Sequence, residues 1–246
     1  VIVVTLSDRI KRKLLIIATL TIAFVLGGWA LTNVEDYTAL ISGGLKPIQS
    51  VQTLDDKLAL TFDISWGETI PTLVLDILKE QGVKATFFVS GPWVGNHPEL
   101  AKRIVEDGHQ LESLGYQHLN LSQYEKEAVQ ECITKAHDII KEVTGIECKF
   151  FRPPFGDYDD LVIETAMELG YTVVTWDTDS RDWLKPGVDQ ITRRVLAKAH
   201  PGDIILMHAS DGATQTHSAL PTIVSNLRER GFELLTLDDL LDQEGQ

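Results

Sequence analysis

Residues 58–67 read LALTFDISWG. Residues 58–64, LALTFDI, form a short apolar run rich in β-branched and aromatic residues, with a carboxylate at Asp63. A run this short, apolar at successive positions, reads as a strand buried on both faces, as in a parallel sheet. Runs of the same kind recur at 84–89, 109–113, 148–152, 172–176, 203–208 and 233–236. Between them, apolar residues repeat with helical spacing near 70–81, 98–107, 122–143, 158–169, 187–198 and 218–230. The third of these helices opens with Ser122 and Glu125 at capping-box spacing and stops before Gly145. Strands alternating with helices imply parallel pairing through right-handed crossovers. The fold expected over 56–242 is therefore α/β, an irregular (β/α) barrel of about seven parallel strands.

The N-terminal residues follow a different rule. Residues 14–31 read LLIIATLTIAFVLGGWAL, and as a helix they would span roughly 27 Å, close to the hydrocarbon thickness of a bilayer. Arg9, Lys11, Arg12 and Lys13 precede this stretch and Glu35 and Asp36 follow it. That asymmetry places the N-terminus in the cytoplasm and the rest outside. The expected division is a cytoplasmic basic tail at 1–13, one transmembrane helix at 14–31, a juxtamembrane linker at 32–55 and the α/β domain at 56–242. A cleaved signal peptide is the alternative, and it would make the domain a secreted protein.

The whole chain has 246 residues, 43% of them hydrophobic, with 22 Lys+Arg against 36 Asp+Glu and a net charge of −14. Four of the basic residues but one acidic residue, Asp8, lie in the first thirteen positions, so the remainder is more acidic than the whole. Such a body repels nucleic acid and anionic polymers and suits ligands that are neutral or become cationic. Cys132 and Cys148, the two cysteines, are too few for a disulfide framework or a cysteine-rich zinc site. Buried free thiols are expected, with pairing as the alternative.

In parallel α/β folds the active site is built at the carboxyl ends of the strands. Asp63 closes the first expected strand, Arg152 the fourth and His208 the sixth, while Asp179 and Asp182 follow the fifth. Taken singly, each has a structural reading: the Asp as a helix cap, the Arg as a surface cation, the His as a core group, Trp176 and Trp183 as packing. Together they supply a carboxylate base, a cation, a second carboxylate and an imidazole, which is a hydrolytic set. Gly-rich phosphate loops, Ser nucleophile elbows and C-x-x-C motifs are missing, which counts against nucleotide chemistry and serine or thiol catalysis.

These residues lie in five segments that resemble the motifs of the NodB-homology polysaccharide deacetylases of carbohydrate esterase family 4. LTFDISWG (60–67) resembles the first, Thr-Phe-Asp-Asp-Gly. GHQLESLGYQHLNLS (108–122) resembles the second, Gly-His-Glu-Ile-Gly-Asn-His-Ser-x-x-His. FRPPFG (151–156), WDTDSRDW (176–183) and IILMHAS (204–210) are similar to the third, fourth and fifth. The resemblance covers 56–242 and implies a hydrolase of carbon–nitrogen bonds that removes acetyl groups from N-acetylated sugars. It implies Asp63 as general base with Arg152 holding it, and His208 as general acid with Asp182 tuning its pKa. It further implies Trp183 and Leu206 at the acetyl pocket. Phe155 and Trp66 are expected to bind substrate, and Trp93 and Tyr158 are further candidates to stack on sugar rings. The implied partner is an extracytoplasmic glycan, peptidoglycan or a chitin-like polysaccharide, with the membrane engaged through the N-terminal helix and no nucleic acid.

The family's divalent metal, zinc, is held by the second Asp of the first motif and two His of the second. Those positions here are Ile64, Leu114 and His118. Ile and Leu have no lone pair, and a single imidazole does not make a catalytic zinc site. His118 is then a remnant of the family site or a hydrogen-bonding residue. A displaced site of Asp63, Glu112 and His118 is the alternative, with His109 a weaker candidate. The run TFDISWG with the N-terminal anchor also resembles a membrane-anchored, sporulation-associated subgroup of the family, which implies a role at the spore envelope. Two functions remain open: a deacetylase with a degraded metal site, and a catalytically silent glycan-binding or morphogenetic protein. Action on an O-acetyl ester or another C–N bond is a third.

Overall fold

A computed structural model describes residues 44–53 and 55–242. The expected basic tail, the apolar segment 14–31 and the linker up to residue 43 lie outside the described residues. No helix among the described residues is long and apolar enough to cross a membrane.

The described residues form β1 (Lys57–Ile64), β2 (Thr86–Val89), β3 (Gln110–Ser113), β4 (Phe150–Phe151), β5 (Thr172–Val173), β6 (Thr178–Asp179), β7 (Ile204–His208) and β8 (Glu233–Leu235). The helices are α1 (Thr69–Glu80), α2 (Gly91–Asn96), α3 (Pro98–Glu106), α4 (Lys126–Thr144), α5 (Asp160–Glu168), α6 (Val188–Lys198), α7 (Thr216–Glu229) and α8 (Leu237–Leu241). All strand pairs are parallel, in the order β5-β4-β3-β2-β1-β7-β6. β8 pairs with Lys57–Ala59, at the start of β1, and β2 pairs with Thr61–Ile64 further along it. The sheet curls into a barrel left open between β5 and β6.

Residues 46–51, expected within the linker, run beside that opening. Ile48 bridges to Val174 and Ser50 to Asp203, and Val51 N–H donates to Gly202 O at 2.8 Å. Ile48 and Val51 thereby join the apolar filling of the barrel.

Side chains alternate along β1. Leu58, Leu60 and Phe62 face the layer between sheet and helices. Ala59 faces the barrel interior with Phe88, Leu114, Phe150, Val174 and Ile204, and on the same alternation Thr61 and Asp63 point inward. Phe62 stacks on Phe87 at a centroid separation of 5.3 Å. The two periodicities that mark the sequence thus become two apolar layers, with the last inward residue of β1 a carboxylate.

Three expectations need correction. The strand Thr178–Asp179 lies outside the expected runs, because two residues carry no periodicity. The helices Gly91–Asn96 and Leu237–Leu241 also lie outside the expected segments, being too short for a helical repeat to register. The Ser122–Glu125 capping box does not form: α4 begins at Lys126, and its cap residue Glu125 makes no side-chain cap bond. Asp157 instead accepts both the Ser122 N–H (2.8 Å) and the Ser122 O–H (2.9 Å). The end of that helix is as expected, with Gly145 left-handed at φ 73°. Cys132 and Cys148 are buried free thiols.

Candidate active site

Four of the strand-end residues meet at the carboxyl end of the barrel. Asp63 and His208 are register partners on β1 and β7. Arg152 follows β4 and is completely buried. Its Nη1 donates to Asp63 Oδ1 at 2.7 Å and its Nη2 to Thr175 O at 3.0 Å. The guanidinium lies 3.9 Å over the Phe88 ring and 5.6 Å from that of Trp176. Burial pulls the Arg152 pKa down, and the charge and bond of Asp63 oppose that. The pair holds the Asp63 carboxylate in one orientation, and Oδ2 takes no hydrogen bond from the described residues.

Asp182 is also fully buried. Its Oδ1 accepts from His208 Nδ1 at 2.7 Å and from Trp183 N at 2.9 Å. Its Oδ2 accepts from His208 N at 2.8 Å and from Thr216 Oγ1 at 2.6 Å. A carboxylate only accepts, so Nδ1 carries the proton and Nε2 is the nitrogen left for a ligand. Burial works against the charged imidazole, yet the bond and charge of Asp182, with Asp63 and Asp179, hold the His208 pKa above its ordinary value. Burial likewise opposes the Asp182 charge, and the donors from His208 and Thr216 hold its pKa below the ordinary value. The result is a carboxylate fixed beside an imidazole, each with its own partner.

Three apolar side chains project at the mouth: Trp66, Trp183 and Phe155 are 56%, 53% and 62% exposed. Leu206 is buried on β7, where its register partners are Thr61 and Asp179. Trp66 leads into Gly67, where φ is +86° and a Cβ would lie 2.2 Å from Asp211 Cγ, so glycine alone permits that turn. Phe155 is held at φ +60°, a strained conformation for an aromatic residue. Trp93 is 1% exposed and its Nε1 donates to Gly67 O at 2.7 Å. It supports the Trp66 turn and does not offer a sugar-stacking surface. Tyr158 is half-buried against the core.

The ligand positions of the family's metal do not fit a metal here. Ile64 is 0% exposed in the sheet–helix layer, and Leu114 is 1% exposed in the barrel interior. His118 Nδ1 lies 3.1 Å from Ser65 Oγ, and its ring meets Phe155 edge-on at 4.3 Å. Desolvation lowers the His118 pKa, Asp63 raises it and His208 lowers it further. Among the described residues no group of three or more His, Cys, Asp and Glu is arranged to hold a metal ion.

The displaced site fails for a specific reason. Glu112 is buried and accepts from Lys149 N, Phe150 N and Gln110 Nε2 at 2.8–2.9 Å. It braces the start of β4, and burial pushes its pKa up to about 7. His109 is buried against Phe87 and accepts from Ala85 N. Ser65, Ser210 and Thr216 were not singled out from sequence. A Ser at the glycine position of the first motif was a readable signal for Ser65. Thr216 is 34 residues from the carboxylate it contacts, and nothing local marks it.

The (β/α) half-barrel thus carries an arginine-held carboxylate and a carboxylate-held imidazole on adjacent strands. The chain belongs to the polysaccharide deacetylase family, whose sequence model matches residues 50–174. It is 34% identical over 186 residues to the uncharacterized protein YlxY of Bacillus subtilis, covering 76% of this chain and 57% of that one. It is 36% identical over 190 residues to the peptidoglycan-N-acetylglucosamine deacetylase PgdA of Listeria monocytogenes, covering 77% of this chain and 40% of that one. The chain thus spans about half the length of these two relatives. Among solved structures it is similar to BA3943 of Bacillus anthracis, described as a CE4 family pseudoenzyme, with 31% identity, coverage of 80% and 69%, and a TM-score of 0.76. A mutant of BA3943 is described as having restored enzymatic activity.

Proposed function

We propose that the groove over the strand ends hydrolyses the acetamide of N-acetylated sugars in peptidoglycan or a chitin-like glycan, without the family's metal. The observation that carries this reading is the intact pair of dyads, Asp63–Arg152 and His208–Asp182, both at 2.7 Å and on adjacent strands. Asp63 takes a proton from the attacking water, and His208 Nε2 protonates the departing amine. Arg152 orients the Asp63 carboxylate, and Asp182 favours the protonated His208 imidazole. Trp183 and Leu206 flank the acetyl group, and Trp66 and Phe155 stack on sugar rings. The acidic body favours a product that gains a positive amine. Without a metal, carbonyl activation is weaker, and loss of oxyanion stabilisation alone slows such a reaction ~10²–10³-fold.

The domain is proposed to act outside the cell, held by segment 14–31, on a glycan of the spore envelope, a reading supported by the resemblance to the sporulation-associated subgroup. A second reading, glycan binding without turnover, is favoured by the aliphatic Ile64 and Leu114 and by the likeness to a pseudoenzyme. Acetate release and oligosaccharide binding, measured together for the wild type, Asp63→Asn and His208→Ala, separate the two. Hydrolysis predicts that both variants lose release and keep binding. Binding without release in the wild type would favour the second reading.

A further inference from the structure

Ser65 and His118 are 53 positions apart in sequence and meet at the mouth of the barrel, with Ser65 Oγ 3.1 Å from His118 Nδ1. The serine is clamped from two sides. Its N–H donates to Ser210 Oγ at 2.9 Å, and its carbonyl accepts from Ser90 Oγ at 3.4 Å. Its hydroxyl makes no other hydrogen bond among the described residues. The imidazole is positioned by the edge-on contact with Phe155, the residue held at φ +60°. Ser65 lies two residues past Asp63 at the end of β1, and its N–H bonds Ser210, two residues past His208, so the pair stands at the same strand ends as those two groups. A hydroxyl fixed within hydrogen-bond reach of an imidazole is the first requirement of an activated nucleophile.

We propose that Ser65 and His118 form a metal-independent nucleophile–base pair that accepts the substrate's acetyl group as an ester on Ser65 Oγ. The inference rests on the reading that the groove takes acetylated glycans, and it divides one difficult step into two easier ones. In the first, Oγ bonds to the acetyl carbon while His118 Nδ1 takes the hydroxyl proton. The C–N bond breaks with its electron pair going to nitrogen, and the His208 imidazolium protonates the amine. In the second, water adds to the acetyl carbon as Asp63 takes its proton. The C–Oγ bond breaks, Oγ recovers its proton from His118, and acetic acid leaves. Asp63 then passes its proton to His208 through solvent, and every group regains its starting state. Acetamide and water become amine and acetic acid, with no metal and no redox partner. The pair comes together through the fold, which is why no nucleophile-elbow motif announces it.

The test uses the full chain with p-nitrophenyl acetate, an activated ester that needs no leaving-group acid, and with N-acetylglucosamine oligomers. Reactions are quenched in acid and the peptides are mapped by mass. The expected result is an acetyl group on Ser65, absent in Ser65→Gly and formed ~10²-fold more slowly in His118→Ala. An unmodified Ser65 in the wild type, or equal acetylation in His118→Ala, would overturn the proposal. Equal acetate release from oligomers by the wild type and Ser65→Gly would also overturn it while leaving the hydrolase reading intact. Acetyl-Ser65 from the ester with no acetate from any glycan would support the pair and remove the glycan hydrolase reading instead.

Discussion

Asp63 and His208 are Cα partners on two neighbouring parallel strands, β1 and β7, yet each is bound by a different residue from elsewhere in the chain. Arg152 reaches Asp63 from 89 positions away, and Asp182 reaches His208 from 26. Strand pairing sets the spacing of the carboxylate and the imidazole, and the two buried partners set their orientations.

An opposite charge in direct contact raises an imidazole pKa, so Asp182→Asn lowers that of His208. A group that acts as acid when protonated gives a falling limb at high pH. That limb in acetate release therefore moves to lower pH in the variant, as a pH–rate profile would show. An unmoved limb would mean that Asp182 does not tune His208.

Arg152 carries a larger structural burden. It is completely buried, ion-paired to Asp63 and stacked on Phe88. Arg152→Ala leaves a buried carboxylate unpaired and lowers unfolding free energy by about 3–5 kcal/mol. Arg152→Lys keeps the charge but loses the planar fork that serves Asp63 and Thr175 together, so it too is destabilised. Urea unfolding measures both, and a wild-type midpoint for Arg152→Ala would contradict the account.

Two buried groups away from the site oppose each other in pH. Burial pushes Glu112 up to about 7. Its contribution to stability is therefore complete below its unfolded pKa and is lost as pH rises from about 4.3 to 7. Burial pushes His109 down to about 4. Its contribution is complete above about 6.5 and is lost as pH falls from there to 4. Each amounts to about 3 kcal/mol, so the two nearly cancel in the wild type between pH 4 and 7. Glu112→Gln leaves the His109 slope, with stability rising with pH, and His109→Phe leaves the opposite slope. Melting temperatures against pH check this, and matching slopes in the two variants would refute it.

The exposed aromatic side chains give a prediction independent of turnover. Trp66→Ala and Trp183→Ala each weaken binding of N-acetylglucosamine oligomers by up to ~10-fold, from about 0.5–1.5 kcal/mol of ring contact. Both side chains are more than half exposed, so melting temperatures stay close to the wild type. Calorimetric titration reads the affinities, and unchanged binding in both variants would place the sugar elsewhere.

The sequence showed the frame because strands alternating with helices leave two periodicities that survive translation into one sheet. It also showed Asp63, Arg152, Asp182 and His208, because each sits at or just past a strand end where polar residues are conspicuous after an apolar run. What it hid was short or distant. Thr178–Asp179 is too brief for a pattern, and Asp157 captures Ser122 only after 35 residues of chain fold back. Trp93 reads as a rim aromatic but is buried beneath Gly67. Glu112 reads as a displaced metal ligand, and two backbone N–H groups of the next strand claim it.

The most direct test of the central claim is acetate release from peptidoglycan and N-acetylglucosamine oligomers by the full chain, in chelator and in added zinc, with Asp63→Asn as the blank. The account predicts release that chelator leaves unchanged, zinc does not raise and Asp63→Asn abolishes. Release that depends on zinc, or none above the blank on either substrate, would contradict it.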